Sequence, residues 1–355
     1  MSTESVTAGR FTVGSSKNIK DIRCRILIIL RRAVKIFWRL NYRFPRLDIV
    51  PVYVYLTNKT IKRGIMGSQN ESIMEFACKF AEEIDAKAIL LYSEVAQDLF
   101  VRQDSKPCFN TVLITRGNDI LPHKADLFQN VINIPNVNVT RLGQMKIVIT
   151  KGLAAGLFKK TDKLVCLTGI PKIGYIDSIF VIDVGREFEL LTSENVSNIF
   201  ENIYPEVFEA VLNIALELAA QGREGRPIGT IFVLGDDEKV LELSRQMIIN
   251  PFMGYKEEER NILDHNLRDT IKEFSALDGA FVIREDGLLV TAGRHLSAAL
   301  ENKDFPQGLG SRHIAAAGIT SVTDAIAIAI SESTGTVRIF RKGKVFVDIE
   351  KGAGK

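Results

Sequence analysis

Three short stretches in the last third of this 355-residue chain carry side chains whose types and spacing could do chemistry. Residues 308–320 read GLGSRHIAAAGIT, so Ser311, Arg312 and His313 stand behind Gly308 and Gly310 at the start of a predicted helix. Cations there oppose the positive end of the helix dipole, at a cost of about 0.3–1 kcal/mol each, unless an anion is bound. A phosphate removes the conflict. First-turn amides, the Ser311 hydroxyl, the Arg312 guanidinium and the His313 imidazole can all donate to its oxygens. Asp278 and Gly279 precede an apolar strand, and Glu332 follows the strand AIAIAIS, which places two carboxylates at strand ends. Carboxylate oxygens suit a hard divalent cation, Mg²⁺ or Mn²⁺, held against the same phosphate, and Gly279 lets another group come close to the backbone. Taken singly, each stretch has the plainer reading of turn chemistry; together they point to a metal-bound polyphosphate nucleotide.

The elements that must position these residues can be read from the pattern. DGAFVIREDGLLVTAGRHL predicts two strands joined at Glu285-Asp286-Gly287, because an acid-Gly pair suits a hairpin turn. DAIAIAISESTGTVRIFRKGKVFVDI predicts three more strands, turning at Ser333-Thr334-Gly335 and Lys342-Gly343. Upstream, YPEVFEAVLNIALELAAQGREGRPIGTIFVLGDD reads as an amphipathic helix, a basic Gly-rich turn and a buried strand, and residues 236–277 read as charged and mostly helical. In the first half, Ile73, Phe76, Ala77, Phe80, Ala81 and Ile84 fall at helical spacing before the strand AKAILLYS. The apolar runs CFNTVLITRG, MKIVITKGLAAGL, DKLVCLTGI and SIFVIDVG follow, and successive β and α signals of this length predict a largely parallel α/β sheet. The polar stretch 188–205 reads as the link between two domains, at 66–190 and 191–355, behind a basic extension at 1–65.

Composition narrows the function classes. Hydrophobic residues make up 46% and charged residues 25%, which fits a globular chain and not a disordered or fibrous one. Cys24, Cys78, Cys108 and Cys166 are scattered without metal-ligand spacing, so reduced thiols and a cytoplasmic setting are expected. Residues 1–65 hold fourteen Lys and Arg against three acids, a net +11, which leaves −8 on the remainder of a chain whose total is +3. Within them, residues 22–47 contain no acid and interleave basic with apolar residues, but the longest uncharged run, ILIIL, is far short of the ~20 residues that span a bilayer. Three readings stay open for this segment: contact with an anionic membrane surface, contact with nucleic acid, or a dispensable leader ahead of a start at Met66. No internal repeat is visible, and neither GxGxxG nor GxxxxGK[ST] occurs in the first half.

The stretches GREGRPIGTIFVLGD, LDGAFVIREDGLLVTAGRHL and GLGSRHIAAAGITSVTDAIAIAISESTG resemble, in order and spacing, the diadenylate cyclase family, also called the DisA N-terminal domain family, whose signatures are a DGA and an RHR motif. The first α/β half resembles, more loosely, the C-terminal domain of pyruvate kinase. With no DNA-binding domain evident, the whole chain is most similar to the archaeal diadenylate cyclases. The resemblance implies two α/β domains, the second with a central mixed sheet flanked by helices. It also implies a face-to-face dimer, possibly within a larger homo-oligomer, in which two ATP condense to cyclic di-AMP and two pyrophosphates. It implies that Asp278 binds metal and activates the 3′-hydroxyl, with Gly279 close to the sugar and phosphate. Gly310, Ser311, Arg312, His313 and Ser331 would contact the phosphates, Leu296 would present backbone to the adenine, and Glu332 would bind metal. The chain departs from the pattern at Ile314, where the family's motif has its second Arg; Arg294 and Arg338 are the candidates to replace it. A catalytically weak sensor of ATP or a cyclic dinucleotide on the same fold is the alternative that this departure raises.

Overall fold

A computed structural model describes residues 66–95, 99, 109–117, 128–171, 173–187, 200, 202–297 and 310–352. The readings of residues 1–65, including a membrane contact through 22–47, lie outside them, as do Gly308, Leu309 and most of the link at 188–205. Among the described residues no helix is long and apolar enough to cross a membrane.

The first half builds a five-stranded sheet from β1 (Ala88–Tyr92), β2 (Thr111–Arg116), β3 (Asn130–Ile134), β4 (Lys163–Ile170) and β5 (Tyr175–Asp183), in the order β3-β2-β1-β4-β5. All neighbours are parallel except the edge strand β5. Every residue of β1 is buried, as a parallel strand covered on both faces requires. Helix α1 (Met66–Glu83) packs on β1, β4 and β5, and α2 (Arg141–Ala154) packs on β3. The apolar run MKIVITKGLAAGL, which the sequence pattern does not assign to strand or helix, supplies most of α2. Thr140 starts this helix, its Oγ1 accepting from the Gly143 amide at 3.0 Å, and residues 147–152 are buried without a break. An apolar run that is buried throughout has no period by which strand and helix can be told apart.

The second half contains α4 (Pro205–Gln221), β6 (Ile231–Leu234), α5 (Asp237–Glu242), β7 (Ser244–Gln246), α6 (Leu267–Phe274), β8 (Ala280–Ile283), β9 (Leu289–Leu296), α7 (Ser311–Val322), β10 (Ile326–Ile330), β11 (Val337–Arg341) and β12 (Lys344–Ile349); a short α3 (Val184–Glu187) ends the first half. Its seven strands run in the order β12-β11-β10-β6-β8-β9-β7, and only β6 and β8 pair in parallel. The mixed sheet and its hairpins follow the sequence pattern. Edge strand β7 does not: at three residues it is too short to show a period, and residues 236–277 hold less helix than expected.

The alternation in β10 explains why small residues follow Arg312 and His313. Ile326, Ile328 and Ile330 pack into the core on the α4 side, whereas Ala327 and Ala329 meet Ala316, Ala317 and Ile319 of α7. Alanines on both surfaces let the helix lie close against the sheet, so its first turn is held rigidly at the sheet edge.

One core runs through both halves. At their seam, Lys146 of α2 donates to the Asp348 carbonyl at 2.9 Å and Gly352 donates to the Asn138 carbonyl at 2.9 Å. Lys151, also on α2, is buried and ion-paired to Glu209 of α4 at 2.9 Å. Burial pulls its ammonium below its ordinary pKa, an effect that Glu209 opposes. Cys166 is a free, buried thiol, but Cys78 is disulfide-bonded, against the expectation of reduced thiols throughout. Spacing along the chain does not say which cysteines a fold brings together.

Candidate functional site

Strand direction, more than sequence proximity, gathers the chemistry-bearing residues. Because β6 and β8 are parallel, with Ile231 opposite Ala280, the start of each lies on one edge of the sheet. Strand β10 runs antiparallel to β6, with Ala329 opposite Ile231, and so delivers its last residues to that edge. Strand β9 runs antiparallel to β8, with Ala280 opposite Arg294, and delivers Leu296 there as well. Residues 229–230, 278–279, 294–296 and 331–332 are therefore neighbours in space. Asp278 and Glu332 belong to strands two positions apart, roughly 10 Å at ordinary strand spacing.

Helix α7 adds the cation. Arg312 Nη1 donates to Glu332 Oε2 at 2.9 Å. Gly229, which the sequence reading did not single out, makes room for this pair: a Cβ on it would lie 2.5 Å from Arg312 Nη1 and 3.0 Å from the Glu332 Cβ. The only sequence signal was a glycine just ahead of a buried strand. Gly310 caps α7 with no side-chain hydrogen bond, and no acid lies in the first turn. The amides of Ser311 and Arg312 thus have no intrahelical partner.

The other positions fall as follows. Asp278 is exposed and its Oδ1 accepts from the Gly279 amide at 3.0 Å. Gly279 has φ +106°, and a Cβ on it would stand 2.6 Å from the Gly293 carbonyl carbon, so close packing of β8 on β9 needs glycine there. Leu296 buries its side chain on the α7 side of the sheet, leaving its backbone at the edge. Ser331 closes the β10–β11 turn, its amide donating to the Thr336 carbonyl and its carbonyl accepting from the Gly335 amide, both at 2.9 Å. Ser311 and Gly310 are exposed.

His313 lies deeper than a phosphate-gripping residue on the surface would. It is 4% exposed, its ring centroid is 6.0 Å from that of Phe340, and its Nε2 is 3.2 Å from Arg338 Nη1. Burial first, and the Arg338 charge second, lower its pKa to about 4; Asp348 opposes them, and Arg312 adds a smaller lowering. Ile314 is exposed. Neither proposed substitute for the missing Arg is free. Arg294 donates to Ser244 Oγ at 2.9 Å and to the carbonyls of Leu241 and Ser244 at 2.7 and 2.6 Å, and Arg338 is bound to Asp348 at 3.0 Å.

Among the described residues no three His, Cys, Asp or Glu side chains converge into a cage for a metal ion. Two carboxylates on one edge instead suit an ion of the Mg²⁺ type, which is ordinarily held by one or two carboxylates plus substrate phosphates.

Residues 217–345 match the family model described as DisA bacterial checkpoint controller nucleotide-binding, and residues 69–192 match one described as probable sensor domain DacZ_P. A diadenylate cyclase of Methanocaldococcus jannaschii is 30% identical over 302 residues, covering 79% of this chain and 96% of that protein. A diadenylate cyclase of Haloferax volcanii is 42% identical over 149 residues, covering 42% of this chain and 54% of that protein. Among solved structures, a DacA double mutant from Staphylococcus aureus aligns with TM-score 0.30 and 22% identity over 42% of this chain and 87% of that one. A pyruvate kinase from Cryptosporidium parvum aligns with TM-score 0.26 and 13% identity over 32% of this chain and 22% of that one.

Proposed function

The chain belongs to the diadenylate cyclase family of nucleotidyltransferases, and we propose that it condenses two ATP into cyclic di-AMP and two pyrophosphates at the edge formed by Asp278, Gly229, Arg312 and Glu332. The observation that carries this reading is the Arg312–Glu332 pair at 2.9 Å against the start of β6, on the edge that Asp278 shares. The side chains of the pair are 36% and 58% exposed. An exposed pair of this kind is worth about 0–1 kcal/mol, so it holds Arg312 only weakly against a competing anion. Phosphates that take Arg312 from Glu332 would release the carboxylate.

Asp278 is the general base for the ribose 3′-hydroxyl of one ATP, and Gly279 lets the sugar and phosphate approach the backbone. Gly310, the amides of Ser311 and Arg312, the Ser311 hydroxyl and the Arg312 guanidinium bind the phosphates of the ATP held on this edge and neutralise charge that develops on its leaving pyrophosphate. Ser331 adds a phosphate contact, and the Leu296 backbone meets the adenine. Asp278 and Glu332 are the ligands for Mg²⁺ or Mn²⁺, which when bound supplies further charge neutralisation at the α-phosphate. One copy of this edge holds one ATP and so half the reaction; two copies must face each other, and the in-line geometry is a property of the dimer.

The proposed division of labour assigns the cyclase to 191–355 and a separate α/β domain to 66–190, in a protein that works in the cytoplasm. Purified protein incubated with ATP and Mn²⁺ or Mg²⁺, with products identified by mass, tests the activity: cyclic di-AMP and pyrophosphate are expected, and ATP left intact contradicts it. The exposed Ile314, with Arg294 and Arg338 both engaged elsewhere, favours one second reading, a catalytically weak nucleotide sensor. It predicts nucleotide binding without turnover in the same assay.

A further inference from the structure

The two edges of the second sheet are finished differently. The outer edge of β12 is covered by the first half of the chain, through the Lys146 bond to the Asp348 carbonyl at 2.9 Å and the Gly352 bond to the Asn138 carbonyl at 2.9 Å. The opposite edge is β7 with its continuation to Ile249, and it is open. Its alternation is also reversed. Ser244 and Gln246 spend their polar groups on the protein: the Ser244 hydroxyl donates to the Val240 carbonyl at 2.6 Å, and Gln246 Nε2 donates to the Ala292 carbonyl at 2.6 Å. Arg245, Met247 and Ile249 take the other face of the extended chain and are exposed, Ile249 at 91%.

The next turn repeats this display on a fixed base. Asn250 Nδ2 donates to the Val290 carbonyl at 3.1 Å, and its Oδ1 accepts from the Phe252 amide at 3.1 Å. Phe252 is buried, with its ring centroid 5.7 Å from that of Phe274 and 6.3 Å from that of Phe281. Met253 and Tyr255 are left outward, 76% and 59% exposed. Met247, Ile249, Met253 and Tyr255 thus line an apolar strip along the open edge. Single exposed apolar residues are ordinary, but several together on an anchored frame mark an interaction surface.

Charge at the two ends of the strip indicates what fits it. At one end Arg245 stands opposite His295 in the β7–β9 ladder. At the other, a single 3₁₀ turn (Glu257–Arg260) lies beside Leu289, whose carbonyl accepts from Arg260 Nη1 at 3.0 Å. The stretch of β9 between His295 and Leu289 sets the ends roughly 20 Å apart. Glu257 is paired with Arg284 at 3.1 Å, and Glu259 Oε2 accepts from the Lys256 amide at 2.9 Å. Arg245 and Glu258 have no polar partner among the described residues. A strip with a free cation at one end, an apolar middle and a free anion at the other is complementary to itself turned end for end, which is the relation that a two-fold axis imposes. An anionic lipid surface would instead meet three glutamates at one end.

We propose that this strip is an interface between two copies of the chain, in which Met247, Ile249, Met253 and Tyr255 pack on the same residues of the second copy and each Arg245 pairs with a Glu258 across the axis. The contact is separate from the face-to-face pairing that the proposed chemistry requires. That pairing uses the strand ends at Asp278 and Glu332, whereas this one runs along the side of β7. A chain that uses both builds an assembly larger than a dimer.

The test is sedimentation of the full chain over a concentration series without nucleotide. The wild type is expected to self-associate. Ile249→Glu buries an unpaired carboxylate in the middle of the contact and should raise the dissociation constant roughly 100-fold, and Met253→Glu is a second variant of the same kind. Both positions are exposed, so thermal unfolding should be unchanged. Arg245→Glu and Glu258→Arg each set like charges against each other and should weaken association about tenfold; the double variant restores opposite charges and should restore association. Local damage to either residue would not be repaired in this way. A wild type that is monomeric throughout, folded Ile249→Glu and Met253→Glu with unchanged mass, or a double variant no better than the single ones overturns the proposal. So does a monomeric wild type that binds phosphatidylserine vesicles and loses them in Ile249→Glu. Cyclic di-AMP assays on the same samples keep the two contacts apart. Strip variants of lower mass that still form product support separate contacts, and loss of all product together with the mass overturns their separation. A wild type that associates through the strip but forms no product removes the proposed chemistry and leaves this contact in place.

Discussion

The two sheets of this protein are both α/β, yet they treat their strand ends differently. In the first, three of the four neighbouring pairs are parallel, and the described hydroxyls near their carboxyl ends, on Tyr92, Thr115 and Thr168, are buried. Tyr92, Thr115 and Thr168 keep hydroxyls with no protein partner, burial pushes the Tyr92 phenol well above its ordinary pKa, and Arg116 is tied to Glu94 at 3.2 Å. In the second, one parallel pair set among antiparallel strands turns the starts of β6 and β8 and the ends of β9 and β10 onto a single edge. There the charged groups remain open to solvent: Asp278, Glu332 and part of Arg312. Fold class is shared; what differs is that the ion pair at the strand ends is mostly covered in the first sheet and open to solvent in the second.

Substitutions can break that contrast. The largest effect is expected from Asp278→Asn, which removes the proposed base and a metal ligand at an exposed strand end. Turnover should fall about 10³-fold, within the usual range for a lost general base, with thermal unfolding unchanged. Near-normal turnover in this variant would remove Asp278 from the chemistry. Arg312→Ala should weaken ATP binding about 10- to 100-fold, the equivalent of one charge-assisted hydrogen bond, as read by titration calorimetry. Gly229→Ala sharpens the comparison further, because it touches no ligand directly. Its Cβ would displace the guanidinium from 2.5 Å, so the KM for ATP should rise about tenfold while the fold persists; unchanged kinetics would mean that the Arg312 position is not set from β6.

Acid should act on the second sheet through His313. Its pKa in the folded chain, about 4, is below the ordinary 6.5, so between these values the unfolded chain binds more protons. The stability that comes from keeping this ring neutral is fully present above pH 6.5 and is lost as pH falls toward 4. Melting midpoints across this window should drop less steeply in His313→Asn than in the wild type. The smallest effect is expected in the first sheet. Thr168→Val removes an unpartnered buried hydroxyl, so stability should rise by up to about 1 kcal/mol and turnover should stay within about twofold. A large loss of turnover there would show that the two sheets are not functionally distinct.

Much of the second sheet was legible because local chemistry and tertiary structure agree in it. The acid-Gly hairpin at Asp286-Gly287 and the turn at Lys342-Gly343 appear where expected, with positive φ at Gly287, Lys342 and Gly343. The cations before IAAAG raised the expectation of an anion from local chemistry alone. What stayed hidden depends on register. Gly229 matters only because β10 lies beside β6, and Arg338 only because it falls opposite Asp348 and beneath α7. Neither neighbour can be read from distance along the chain. The burial of His313 against Phe340 was hidden for the same reason, and the run MKIVITKGLAAGL showed no helical period because residues 147–152 are buried without a break.

The claim on which most depends is that one edge of the second sheet performs half of a reaction completed by a second copy. The most direct measurement is the specific rate of cyclic di-AMP formation from ATP over a dilution series, with the mass of the protein followed in parallel. The rate per chain is expected to fall as the protein dissociates and to vanish in the monomer. A rate that stays constant in the monomeric range, or the absence of cyclic di-AMP at every concentration, would contradict it.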